Sequence, residues 1–158
     1  MINKVLVAVD GSETSDRAVI FAGEVASNAK AELVVLTVIP PISPLLFQRS
    51  GLGEGNEAGL RPRSIEMIDE YEKSTEEAHK EALDKASKAI REAYPDLKVT
   101  KKLGKGRVSS TIMDAAGSEK VDLIVLGRVG HSKLERWLLG STSKHVAEEC
   151  DKPVLIVK

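Results

Sequence analysis

Two short stretches of the chain carry residue types suited to gripping an anion. The first is Gly127-Arg128-Val129-Gly130, followed after nine intervening residues by Gly140-Ser141-Thr142-Ser143. It opens where the apolar run Val121–Leu126 ends and closes where a helical pattern begins. Glycines at a strand end let backbone N–H groups approach an anion with no Cβ in the way. A helix N-terminus offers N–H donors and a partial positive charge, and Ser or Thr hydroxyls add more donors. The chemistry on offer is a cradle for a di- or triphosphate. Phosphoryl transfer would also need an in-line nucleophile and a positioned base. His131 and Glu135 lie in the right segment, but nothing in the sequence orients either one. Holding phosphate is therefore expected, and efficient catalysis is not.

The second stretch is Asp10-Gly11-Ser12, which closes the first strand-like run. A bland reading stands beside each of these. Any α/β protein needs glycines in turns and serine at helix caps, and an Asp can simply hydrogen-bond its own turn. Arg128 reads equally as a phosphate ligand or as a cap on the neighbouring helix. A third stretch, Gly104-Lys105-Gly106-Arg107-Val108-Ser109, begins like a dinucleotide loop but lacks the third glycine. Gly104 and Gly106 are read as turn residues.

These loops must be positioned by a scaffold, and the apolar pattern indicates which. Val5–Val9, Leu33–Ile39, Val121–Leu126 and Val154–Val157 are continuous β-branched runs, as expected for parallel strands covered on both faces. Leu97–Leu103 alternates instead and belongs at a sheet edge with one wet face. Helical spacing separates the strands. Ala18, Ala22, Val25, Ala26 and Ala29 mark one buried face. Ile68, Tyr71, Ala78, Ala82, Ala86, Ala89 and Ala93 mark another, on a long charged helix that Pro95 ends. Shorter helices are expected from about Arg107 to Gly117 and from Ser141 to Cys150. The alternation predicts an α/β fold: one open doubly wound five-stranded parallel sheet, strand order 3-2-1-4-5, with helices on both faces. In that order the first and fourth strands are neighbours whose helices leave to opposite faces. The crevice between them is where such folds bind ligands, and it would bring Asp10 beside Gly127. The whole chain, 1–158, reads as one domain with a flexible insertion at about 40–64, where prolines and glycines replace any periodicity.

Composition excludes several classes. Lys plus Arg number 23 against 24 Asp plus Glu, and aromatics make up 3% of the chain, so neither the charge nor the stacking surface for nucleic acid is present. No apolar run approaches the roughly 20 residues of a membrane-spanning helix. Cys150 is the single cysteine, in keeping with a reducing compartment. Met1-Ile2-Asn3-Lys4 leads straight into a strand, without the pattern of a secretory leader. A cytoplasmic protein with no membrane partner is expected.

The glycine spacing, together with KVLVAVDGSETS at the start and CDKPVLIV at the end, resembles the universal stress protein family, in particular its ATP-binding members. The resemblance runs nearly end to end and leaves out only Pro40–Ser64. It implies an ATP-binding stress-response sensor or switch, with adenine near Val9, Asp10 and the backbone of Val38, and ribose near Gly127. The phosphates would lie along Gly130, His131 and Gly140, Ser141, Thr142 and Ser143, with Mg or Mn held through them. Three other readings stay open at this point: a slow ATPase or adenylyl-transferring enzyme, a nucleotide-free scaffold, and a flavodoxin-like binder of FMN. Pro153–Val157 would be an edge strand with no charge until Lys158, which predicts a homodimer through that strand. Family members commonly pair in this way. The downstream protein partner is not readable from the sequence.

Overall fold

The computed structural model describes residues 1–42, 62–130 and 139–158. Its strands are β1 (Lys4–Ala8), β2 (Glu32–Ile39), β3 (Val99–Lys105), β4 (Leu123–Gly127) and β5 (Val154–Val157). The helices are α1 (Glu13–Ala29), α2 (Pro62–Ala93), α3 (Val108–Ser118) and α4 (Ser141–Glu149). All strand pairings are parallel, in the order β3-β2-β1-β4-β5. This is the doubly wound sheet that the apolar runs predict.

Local sequence explains where the helices start and stop. The Ser12 hydroxyl caps α1 by accepting the Ser15 N–H at 3.3 Å. Lys30 ends the helix in a left-handed conformation, with φ 55°. Val5, Leu6, Val7, Leu33, Val34, Val35 and Leu36 are almost fully buried, because helices cover both faces of the sheet. On one face α1 and α2 close a core through Ala18, Val19, Ala22, Ala26, Leu83 and Ile90. On the other, α3 and α4 contribute Ile112, Ala116 and Val146.

The long helix differs from its sequence reading. Its buried stripe runs through Leu83, Ala86, Ser87 and Ile90, whereas Tyr71, Ala78 and Ala93 are exposed. Many small residues on a charged helix fit more than one face, and the large ones, Leu83 and Ile90, decide which face is buried. Ile90 and Tyr94 also press on Gly23 of α1, where an added Cβ would lie 2.5 Å from Ile90 Cδ1. The expected insertion at 40–64 falls mostly on residues 43–61, outside the described residues, and residues 62–64 already belong to α2.

The edge strand β3 is covered by charge. Lys101 pairs with Asp84, Lys105 with Glu76, Lys98 with Glu32 and Lys102 with Glu119. Lys4 joins Glu32 to Glu119, at 3.5 and 3.6 Å. A five-residue ion-pair network therefore spans the N-terminal ends of the strands. Hydrogen bonds from Lys98 and Lys102 hold the Glu32 and Glu119 carboxyls below the usual glutamate range. Lys105, and after it Lys80, lowers Glu76 to about 2.

Candidate functional site

At the opposite end, the C-terminal tips of β1 and β4 part, as strand order requires at the switch point. A cleft of about 260 Å³ opens there, and Val9, Asp10, Val38, Gly127, Gly130, Gly140, Ser141, Thr142 and Ser143 all line it. Residues chosen from three distant parts of the sequence are thus brought together. Arg128 is not on the cleft wall. Its main-chain N–H donates to the Val157 carbonyl (2.8 Å), and its carbonyl accepts from the Gly140 N–H (2.8 Å). His131 lies outside the described residues.

The floor and one wall are apolar, made by Ala8, Val9, Val38, Val108, Ile112 and Leu126. The Val9 N–H donates to the Leu36 carbonyl, and the Val9 carbonyl accepts the Thr37 hydroxyl, both at 2.8 Å. These bonds fix Val9 just past the tip of β1, where it lines the cleft. Sequence reasoning missed Val108 and Ile112 as site residues. They are half-buried and buried, and the first turns of α3 bring them over the strand ends to the cleft. Their position directly after the Gly104–Gly106 turn was the available signal.

The polar side begins with α4. Gly140 is its N-cap, and the first helical bond runs from the Lys144 N–H to the Gly140 carbonyl at 2.9 Å. The N–H groups of Ser141, Thr142 and Ser143 therefore have no preceding helical carbonyl to bond. They sit at the positive end of the helix dipole, on the cleft wall. Facing them is Asp10, whose Oδ1 accepts the Ser12 N–H at 2.9 Å. Gly11, at φ +80°, makes the turn that places it.

The three motif glycines are small for three different reasons. None has a left-handed φ; among the described glycines only Gly11 and Gly106 do. A Cβ on Gly127 would lie 2.8 Å from the Thr14 carbonyl carbon and 2.9 Å from the Ser15 nitrogen, so this glycine lets α1 pack on β4. A Cβ on Gly140 would meet the Arg128 carbonyl oxygen and Val129 Cα, both at 3.2 Å. At Gly130 the closest atom among the described residues is Asp10 Oδ2, at 2.5 Å, and the residue is exposed. Among the described residues, no backbone lies against a Cβ placed at Gly130. The Ser143 hydroxyl, read from the sequence as a donor to ligand, donates to the Gly127 carbonyl at 2.7 Å, which leaves its N–H for the cleft. No group of three or more His, Cys, Asp or Glu side chains converges as a metal site among the described residues.

A doubly wound α/β protein with a glycine-lined cleft at its switch point is the class that fold and site define. Within that class the chain belongs to the universal stress protein family, whose sequence profile matches residues 1–158. It is 33% identical over 159 residues to a universal stress protein of Methanocaldococcus jannaschii, covering all of this chain and 83% of that one. It is 32% identical to the Bacillus subtilis universal stress protein YxiE, with both chains covered completely. Among solved structures, the universal stress protein UspA of Lactobacillus plantarum shares the fold, with TM-score 0.77, 22% identity and coverage of 99% and 98%. A universal stress protein in complex with cAMP aligns with TM-score 0.64 and 26% identity, over 99% of this chain and 96% of that one.

Proposed function

We propose that the cleft binds an adenine nucleotide, foremost ATP, and that the protein acts as a nucleotide-dependent sensor or switch in the stress response. The observation that carries this is the convergence of the Ser141–Ser143 N–H groups with Gly127 and Gly130 in one cleft at the switch point. Adenine would lie against Val9, Asp10 and Val38, under Val108 and Ile112, with the ribose over Gly127. The phosphates would run past Gly130 and His131 to the α4 N-terminus. A Mg or Mn ion would be held through those phosphates. The relative in complex with cAMP supports an adenine nucleotide over FMN.

No helix among the described residues is long and apolar enough to cross a membrane, in keeping with a proposed cytoplasmic site of action. We also propose a homodimer through β5, the outer strand beside β4. The Pro153 and Val157 carbonyls accept from β4 and its extension, which turns the backbone groups of Val154 and Ile156 to the free edge. A second copy would pair there about a two-fold axis.

The test is calorimetric titration of purified protein with ATP and with FMN, together with phosphate release under multiple turnover. Saturable binding of ATP with negligible turnover supports a switch. Binding of FMN but not ATP would overturn the proposal.

A further inference from the structure

The three consecutive carbonyls of Gly127, Arg128 and Val129 each accept a hydrogen bond, and each from a different place. The Gly127 carbonyl takes the Ser143 hydroxyl and the Arg128 carbonyl takes the Gly140 N–H. The Val129 carbonyl takes the Thr14 hydroxyl, from the first turn of α1, 115 residues away in sequence. A loop that receives phosphate must keep carbonyl oxygens from facing it, because two negative dipoles would oppose each other in a partly dry cleft. Three donors hold this loop in that state, and two of them, Ser143 and Gly140, belong to the glycine-serine motif. Thr14 does not.

From this we infer that Thr14 is a positioning residue of the nucleotide site: it holds the Val129 carbonyl, and so sets the loop that ends at Gly130. The inference rests on the nucleotide reading of the cleft. Thr14 is not among the cleft-lining residues, so its effect is transmitted through the backbone of Val129. The close fit of α1 on the strand end supports it, since a Cβ on Gly127 would lie 2.8 Å from both Thr14 Oγ1 and the Thr14 carbonyl carbon. Thr14 also links the two halves of the cleft. Its Oγ1 is 3.4 Å from Ser12 Oγ, and the Ser12 N–H is held by Asp10. A polar chain thus runs from Asp10 through Ser12 and Thr14 to the loop.

The experiment compares full-length wild type with Thr14→Ser, which keeps the hydroxyl, and Thr14→Val, which keeps the shape and removes it. ATP dissociation constants are measured by calorimetry, and thermal unfolding is followed without nucleotide. Loss of one such hydrogen bond predicts roughly tenfold weaker ATP binding for Thr14→Val. Thr14→Ser should stay within about twofold of wild type. A purely structural role would lower the melting temperature of Thr14→Val and leave the dissociation constant of the folded protein unchanged, and that result overturns the inference. Should Thr14→Val not fold, Thr14→Ala removes hydroxyl and branch together and gives the same comparison. If wild type itself fails to bind ATP, the nucleotide reading has failed and this inference falls with it.

Discussion

Substituting the motif glycines one at a time should separate the fold from the site. In Gly130→Ala the new Cβ meets only the Asp10 carboxylate, with Oδ2 at 2.5 Å and Cγ at 3.7 Å. The Asp10 carboxylate, which also accepts the Ser12 N–H, must shift its Oδ2 by a few tenths of an ångström or more; the position is exposed, and its φ is not left-handed. Stability should change by less than about 1 kcal/mol, since Gly→Ala at a compatible φ gains a few tenths from the unfolded state. The methyl and the displaced carboxylate both intrude where a phosphate oxygen would sit. Losing one hydrogen bond to a charged oxygen, about 1.5–3 kcal/mol, predicts ATP binding weaker by roughly 10- to 100-fold. Gly127→Ala should do the reverse in stability, because its Cβ meets α1 backbone at 2.8 and 2.9 Å and backbone cannot rotate away. Overpacking of about 1–3 kcal/mol predicts a melting temperature lower by roughly 2–12 °C for a chain of this size. The assays are calorimetry with ATP and thermal unfolding by circular dichroism without it. Wild-type affinity in folded Gly130→Ala, or a wild-type melting temperature in Gly127→Ala, would refute the reasoning.

Ser143→Ala removes the donor to the half-buried Gly127 carbonyl and should cost about 0.5–1.5 kcal/mol in urea unfolding, beyond any change in affinity. Asp122 accepts the Asn3 N–H at 2.7 Å and the Lys4 N–H at 3.1 Å, bonds that hold its carboxyl below the usual range. A lowered folded-state pKa contributes stability above the unfolded value and loses it as pH falls through the folded one. The urea midpoint of wild type should therefore drop below about pH 4, and that of Asp122→Asn should drop less over the same range. Ile156→Pro removes a backbone donor from the free edge of β5 without touching its bonds to β4, and should give monomers by sedimentation where wild type gives dimers.

Strand order, both helix layers and the meeting of Asp10 with the 127–143 glycines were legible in the sequence, because continuous apolar runs and glycine-ended strands admit few arrangements. The buried face of α2 was not. Its alanines fit several faces, and the choice is made by Leu83 and Ile90 packing on Gly23. Within the cleft, the sequence singled out glycines that line it, but not what each one packs against. Backbone lies against Gly127 and Gly140, whereas at Gly130 the nearest described atom belongs to the Asp10 side chain. The places of Val108 and Ile112 on the cleft wall and of Thr14 on the Val129 carbonyl were not legible, since they come from three-dimensional overhang and a contact spanning 115 residues.

Titration of isotope-labelled protein with ATP, followed by backbone amide resonances, tests the nucleotide cleft most directly. The account predicts saturation at one nucleotide per chain, with the largest shifts at Gly130, Ser141, Thr142 and Ser143 and smaller ones at Asp10, Val38 and Ile112. Absence of saturable binding, or shifts confined to residues away from that cleft, such as Arg107, Lys144 and His145, would contradict it.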